Sequence, residues 1–321
     1  MQRRTVIVTM SLSVLAVMAG FSAHAQKYPD KPLKIIVPFG PGSTADILAR
    51  NIGTLMGERL GQTVVIENKP GAGGTLGGAE AARAAPDGYT LVLGTVASHG
   101  VGTLLMPNVS YDPVKDFQPI TMLADAPGLL VVNKSVPANN LAEFIEYARK
   151  HPGMSFSSAG NATTTHLAGL ALAQKAGIQL QHVSYGAMGQ ALTDVVSGQV
   201  PAMMYQIPSL KPHIDSGELK AIGVTSAKRV GALPGVPAIA ETYPGFEFTA
   251  WFGLMAPART PMPIINRLND VVQQAMKTPQ IEKLFSLQGL EPSGMGPDEF
   301  KSLMTRDLPR WRDIIQTTGV K

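Results

Sequence analysis

The feature that most constrains this chain is a local design that it uses twice. A short apolar run leads into a loop of small residues, and the loop opens a helix-period segment. The first copy starts at Leu33–Val37 (LKIIV), closed by Pro38, and continues through Phe39-Gly40-Pro41-Gly42-Ser43-Thr44. Leu48, Ile52, Leu55, Met56 and Leu60 then recur every three or four residues until Gly61. The second copy runs from Met154–Ser157 (MSFS) through Ser158-Ala159-Gly160-Asn161-Ala162-Thr163 into a helix with Leu167, Leu170, Ala171 and Leu172. A four- or five-residue apolar run bounded by turn residues reads as a buried strand, and the spacing after it as a helix. Strands alternating with helices build a parallel sheet, because a crossover helix covers the sheet face between neighbouring strands.

The flanking sequence extends each copy into a lobe. Around the first, strands are expected at 63–67 and 90–93, with a glycine-rich loop at 71–78, a small-residue helix at 80–85 and a loop holding Ser98. Around the second, strands are expected at 129–132, 200–205 and 219–225, with a helix at 141–150. Residues 117–126 read as one crossing between lobes and 247–256 as the return. Helices near 263–277, 280–288 and 297–317 close the chain. The expected fold class is α/β and two-lobed, each lobe a mostly parallel sheet flanked by helices, with two crossing strands. Lobe 1 is expected at 26–122 plus 248–321 and lobe 2 at 123–247.

Residues 1–25 read as a signal peptide. Arg3 and Arg4 precede a nearly uncharged apolar stretch, and Ala23-His24-Ala25 supplies the small residues that a signal peptidase needs. An uncleaved anchor is the alternative. The A-x-A triplet, with Pro29 and Pro32 soon after, favours cleavage near Ala25 and a periplasmic location. The chain has no cysteine, which excludes disulfides, thiolate catalysis and lipid attachment at the cleavage point. Its formal charge of +4 falls towards neutrality once the leader arginines are gone, and no basic cluster marks a nucleic-acid surface.

In open α/β sheets ligands bind beyond the C-terminal strand ends, over the helix N-termini. Both small-residue loops belong at that edge. Loop one offers Phe39, Gly40, Ser43, Thr44, Ala45 and Asp46. Loop two offers Ser158, Gly160, Asn161, Ala162, Thr163 and Thr164, with His166 just beyond. Neither loop contains Lys or Arg. Their backbone N–H groups and hydroxyls suit an anion at the positive end of a helix. Asp46 also suits a bracing role. Tyr185 and Gly186 follow a short strand and are expected to line the cleft, and Ser98 is a weaker candidate. Catalytic signatures are missing: there is no G-x-S-x-G, no H-E-x-x-H and no tight metal-ligand cluster, so no cofactor and no metal are expected. Residues 71–77 look superficially dinucleotide-like, but Leu76 stands where the third glycine belongs, and the segment reads as a turn. The competing readings are a periplasmic hydrolase using Ser98 or Ser158 with His166, and a ligand-presenting sensor component.

At these residues the chain resembles the Bug family, the TctC-type solute receptors of tripartite tricarboxylate transporters. The resemblance rests on Tyr28-Pro29-Asp30-Lys31-Pro32, on Val37-Pro38-Phe39-Gly40-Pro41-Gly42 with Asp46, and on Val65 through Gly74 (VIENKPGAGG). It continues through Pro86-Asp87-Gly88-Tyr89, Ser158-Ala159-Gly160 with His166-Leu167, His182-Val183-Ser184-Tyr185 and Trp251-Phe252-Gly253-Leu254. It implies a periplasmic binding protein of the "Venus flytrap" kind that closes on a carboxylate held by the two loops without an obligatory salt bridge. It also implies delivery to integral membrane transporter subunits, one large and one small. A monomer with no nucleic-acid partner is expected. The chain departs from the usual family pattern at Gly40, Ser43, Ala45, Ala162, Ser184 and Gly186-Ala187, and it lacks an acidic residue in 200–206. Those departures lean the expected ligand towards a di- or tricarboxylate or an aromatic acid rather than an amine-bearing one.

Overall fold

The computed structural model describes residues 28–185 and 187–319. The expected signal peptide and Gly186 lie outside the described residues. Strand β1 (Leu33–Val37) sits between β2 (Val64–Asn68) and β3 (Thr90–Thr95), both parallel to it, with Ile35 opposite Ile66 and Leu91. Helix α1 (Thr44–Leu60) covers this sheet. Ser43 caps its N-terminus, and Gly61, with φ 68°, ends it in the left-handed conformation. Its Leu48, Ile52 and Met56 are fully buried, and each such side chain contributes about 1.5–3 kcal/mol of transfer free energy. The helix lies close to the sheet because Gly53 has no side chain: a Cβ there would stand 3.1 Å from Ile66.

The second lobe repeats the plan. Strand β5 (Met154–Ser157) sits between β6 (Leu180–Val183) and β7 (Ala202–Gln206), both parallel to it. Helix α5 (Thr164–Ala176) follows, capped by Thr163 and ended by Gly177 at φ 60°. Gly169 lets it sit on Phe156, whose ring would lie 2.2 Å from an added Cβ. Each lobe is therefore a three-stranded parallel core whose central strand leads into the capped helix.

Between the cores run two antiparallel strands, β4 (Phe117–Asn133) and β9 (Thr249–Pro257), giving the order β2-β1-β3-β9-β4-β7-β5-β6. Up to Pro127, β4 pairs with β9; from Gly128 it pairs with β7 and with β8 (Leu219–Val224). The sheets are thus mixed rather than simply parallel. The β-α-β-α-β core of the first lobe is completed by antiparallel strands from the crossings. The remaining helices are α2 (Thr75–Ala82), α3 (Gly102–Leu105), α4 (Leu141–Lys150), α6 (Met188–Val196) and α7 (Ile207–Asp215). Three more, α8 (Met262–Met276), α9 (Pro279–Gln288) and α10 (Pro297–Thr318), close the chain, and a short β10 (Glu291–Pro292) pairs with β4. No helix among the described residues is long and apolar enough to cross a membrane.

Candidate functional site

Both capped helices start at the C-terminal ends of their central strands, and a cavity of about 280 Å³ lies between them. Loop one contributes Phe39, Gly40 and Ser43 to its wall. The Ser43 hydroxyl accepts from the Asp46 N–H at 3.3 Å, an ordinary N-cap. Asp46 points away from the cavity and fixes the loop from behind. Its Oδ2 accepts from the Gly42 N–H at 3.0 Å and its Oδ1 from Asn68 Nδ2 at 3.0 Å. Asn68 also donates to the Phe39 carbonyl at 2.8 Å. Burial alone would raise the Asp46 pKa, but bonds from Arg50, Gly42 and Asn68 outweigh it and hold the carboxyl below its ordinary value.

Loop two contributes Ser158, Ala159, Gly160 and Asn161. The Thr163 hydroxyl accepts from the His166 N–H at 3.3 Å and donates to the Gly160 carbonyl at 2.7 Å. Ala159 N–H donates to Thr165 Oγ1 at 3.2 Å. The loop closes through Gly160 at φ 116° and Ala162 at φ 58°; the latter costs a non-glycine residue roughly 1–2 kcal/mol.

A third wall comes from the segment read above as a turn. Pro70 to Gly74 lines the cavity, and residues 71 to 74 all have positive φ, of 134°, 47°, 64° and 93°. Three of these four are glycines, the residue that adopts positive φ without steric cost, so this wall is shaped by backbone rather than by side chains. It delivers Gly74 to the start of α2 with no side-chain cap; the Gly74 N–H donates to the Gly71 carbonyl at 2.9 Å and the Thr75 N–H to the Ala72 carbonyl. The fourth wall is the start of α6, whose N-cap Ala187 likewise supplies no side-chain acceptor, beside Ser184, Tyr185 and Met188. The Tyr185 hydroxyl donates to Asp194 Oδ2 at 2.7 Å. Burial first, and then this bond, push its pKa up to about 12. No Lys, Arg or His is among the described residues that line the cavity.

The structure sorts the expected residues. Phe39, Gly40, Ser43, Ser158, Gly160, Asn161 and Tyr185 reach the cavity wall. Thr44, Ala45, Thr163 and Thr164 line a much smaller pocket that shares Phe39 and Ser43 with the main one. There the buried Thr44 hydroxyl finds no partner among the described residues. Asp46, Ala162, Ser98 and His166 are outside both linings. Ser98 is fully buried. Its hydroxyl accepts from the Thr95 N–H at 3.1 Å and faces His99 Nδ1 at 2.9 Å, and burial pushes the His99 pKa down to about 3.

The pairing required by the hydrolase reading is not formed. Ser158 Oγ lies 2.8 Å from His182 Nε2, while His166 stacks on His182 with ring centroids 4.0 Å apart. No carboxylate among the described residues orients His182, and no cluster there would hold a metal ion. Residues 70–74, Met106, Met188 and Tyr205 escaped the sequence reading, and Ser184 and Ala187 entered it only as departures from the family pattern. The uncapped helix starts after Gly74 and Ala187 were the available signal.

A family model described as "Tripartite tricarboxylate transporter family receptor" (TctC) matches residues 48–320. BugT of Bordetella pertussis is 33% identical over 315 residues, 97% of this chain and 97% of BugT. Among solved structures, Rpa4515 of R. palustris, with adipate, is 33% identical at a TM-score of 0.88, covering 91% of this chain and 98% of that one. MatC of Rhodopseudomonas palustris, with bound malate, is 34% identical at a TM-score of 0.84, covering 90% and 100%.

Proposed function

The chain belongs to the TctC family of tripartite tricarboxylate transporter receptors, and on that basis we propose that its cavity captures a small carboxylic acid in the periplasm for delivery to the integral membrane subunits of such a transporter, one large and one small. The observation that carries this reading is the wall chemistry: three helix starts, at Ser43, Gly74 and Ala187, and the loop that leads into a fourth line one cavity, and no basic side chain is among the described residues that line it. Helix N-termini favour negative charge, and each hydrogen bond to a charged group is worth about 1.5–3 kcal/mol, so a few N–H donors hold a carboxylate without a cation. The volume, about 280 Å³, is at the small end of ligand sites, which run from about 300 to 1,000 Å³. Adipate in one relative and malate in another make di- or tricarboxylates the first candidates, with aromatic acids next.

The working parts follow from this reading. Lobe 1 is residues 26–122 with 248–321 and lobe 2 is 123–247, a division supported by the change of β4 partners at Pro127–Gly128. Residues 1–25 serve as the cleaved export signal, and the mature chain acts as a monomer without turnover of its ligand. The test is a thermal-melt panel on protein unfolded and refolded to strip any bound acid, using succinate, malate, adipate, citrate and benzoate. An acid at 100 times its Kd adds about 2.7 kcal/mol and raises Tm. A flat response to every acid overturns the reading.

A further inference from the structure

The Ser158–His182 contact has chemistry that a carboxylate site can use. Ser158 Oγ has three polar neighbours: His182 Nε2 at 2.8 Å, the Gly160 N–H at 3.2 Å and the Gly160 carbonyl at 3.3 Å. A hydroxyl holds one proton and two lone pairs. The Gly160 N–H occupies one lone pair. The other lone pair and the proton are divided among His182, the Gly160 carbonyl and whatever occupies the cavity, whose wall Ser158 forms. With a bare Nε2, Ser158 gives its proton to the imidazole and shows an oxygen lone pair to the cavity, which repels an anion. With a protonated Nε2, the imidazole fills the second lone pair and the hydroxyl proton is left for the Gly160 carbonyl at 3.3 Å or, once an anion is bound, for its stronger acceptor oxygen.

The surroundings set up that choice. His182 is in β6 and Ser158 follows β5, a separation of 24 residues bridged by the parallel pairing of these strands. His166 stacks on the His182 ring at 4.0 Å with an interplanar angle of 29°, and Phe156 lies against it at 5.1 Å, so the ring plane is held. Burial lowers the pKa of His166 to about 4; burial and then the charge of His166 lower that of His182 to about 3. Both rings are neutral at pH 7, and each carries one N–H whose position is a tautomeric choice.

We propose that His182 is a positioning residue for anion capture: it donates from Nε2 to Ser158 Oγ, so that the Ser158 hydroxyl donates to the bound carboxylate. This rests on the carboxylate reading above. It gives the site a side-chain donor without a buried charge, and it assigns the stacked histidine pair a part in binding although neither ring lines the cavity.

The test uses the full mature protein and the tightest-binding acid among succinate, malate, adipate and citrate. Kd is measured by calorimetry for the wild type, Ser158→Ala, His182→Phe, the double variant and His182→Gln, with ¹⁵N-histidine NMR of the wild type with and without the acid. Each single loss weakens binding by about tenfold to a hundredfold. The double variant is no worse than the worse single one, because both changes remove the same donor. His182→Gln, whose amide also donates, recovers most of the His182→Phe loss, and the bound wild type shows the Nε2–H tautomer. Losses that multiply in the double variant, no recovery with Gln, or a bare Nε2 in the bound wild type overturn the proposal while leaving the carboxylate reading intact. Should His182→Phe fail to fold, the NMR tautomer and the Gln variant decide. Failure of every acid to bind the wild type removes both readings together.

Discussion

Asp46 shapes loop one without facing the cavity. Its two oxygens gather the Gly42 N–H, the Asn68 amide and the Arg50 guanidinium, and Asn68 in turn fastens the Phe39 carbonyl. The carboxylate is 4% exposed, so these partners replace water rather than supplement it. Asp46→Ala leaves the Gly42 N–H without its acceptor and the Asn68 amide with only the Phe39 carbonyl, at a cost of about 2–3 kcal/mol in urea unfolding. Because the folded pKa lies below the ordinary 3.8, the Asp46 contribution is complete above that value and is lost as pH falls through the folded pKa. The difference between wild type and variant therefore shrinks when melts are repeated at pH 3. Acid binding weakens as well, since Phe39 and Gly40 lose their fixed positions. An equal gap at pH 7 and pH 3 contradicts the assignment.

The crossing strands carry the clearest electrostatic load. Asp125 on β4 is opposite Trp251 of β9 and Glu291 of β10, and its Oδ2 accepts from the Thr249 hydroxyl at 2.8 Å. Burial pushes its pKa up to about 6, and Glu291 and Asp307 add to the rise against the Thr249 bond. A raised carboxyl pKa means that the folded state holds the proton more tightly. The favourable contribution is complete below about 3.8 and is lost as pH rises through about 6. Asp125→Asn keeps an acceptor for Thr249 and removes the charge. It stabilises the protein by about 1–3 kcal/mol at pH 8, with the gain fading as pH drops towards 4. Denaturant melts across that range check it, and a pH-independent gain counts against the account.

These strands also show where sequence reading stops. The central strands, the capped helices and the C-terminal helices were legible because each combines a clean period with a local start or stop signal, as Ser43 and Gly61 do for α1. Strand β4 was legible only in two pieces, 117–126 and 129–132. Pro127 and Gly128 fall between those pieces, whereas the strand continues through them and changes partners there. Helix α7 was missed because Pro208 and Pro212 break its pattern. The two small-residue loops were legible as cavity walls because the same design occurs twice. The 70–74 wall was not, since its shape depends on four positive φ values rather than on side chains. The Ser158–His182 contact depends on strand pairing, which spacing alone does not reveal.

At the scale of the whole molecule, the lobes touch across the cavity through backbone. A Cβ on Gly73 of lobe 1 would stand 3.0 Å from the Asn161 carbonyl oxygen and 3.4 Å from Ala162 Cβ in lobe 2. Nearby, Ser209 donates to the Gly42 carbonyl at 3.0 Å. On the crossings themselves, Thr225 Oγ1 accepts from the Gly128 N–H at 2.7 Å and donates to the Phe248 carbonyl, tying the two connections to each other. Gly73→Leu places a side chain in the gap where the lobes meet and holds them apart. It also forces a non-glycine residue to φ 64°, a strain of about 1–2 kcal/mol that has nothing to do with the ligand. Gly217→Leu separates the two effects: Gly217 has φ 74° and nothing within 4 Å of its Cβ position, on a surface turn after α7. Both variants lower Tm by a similar few degrees. Only Gly73→Leu weakens acid binding, by tenfold or more, and only it loses the ligand-induced compaction seen as a smaller radius of gyration in X-ray scattering. Equal affinity in the two variants means that capture does not need this contact, and the cavity then works without bringing the lobes together.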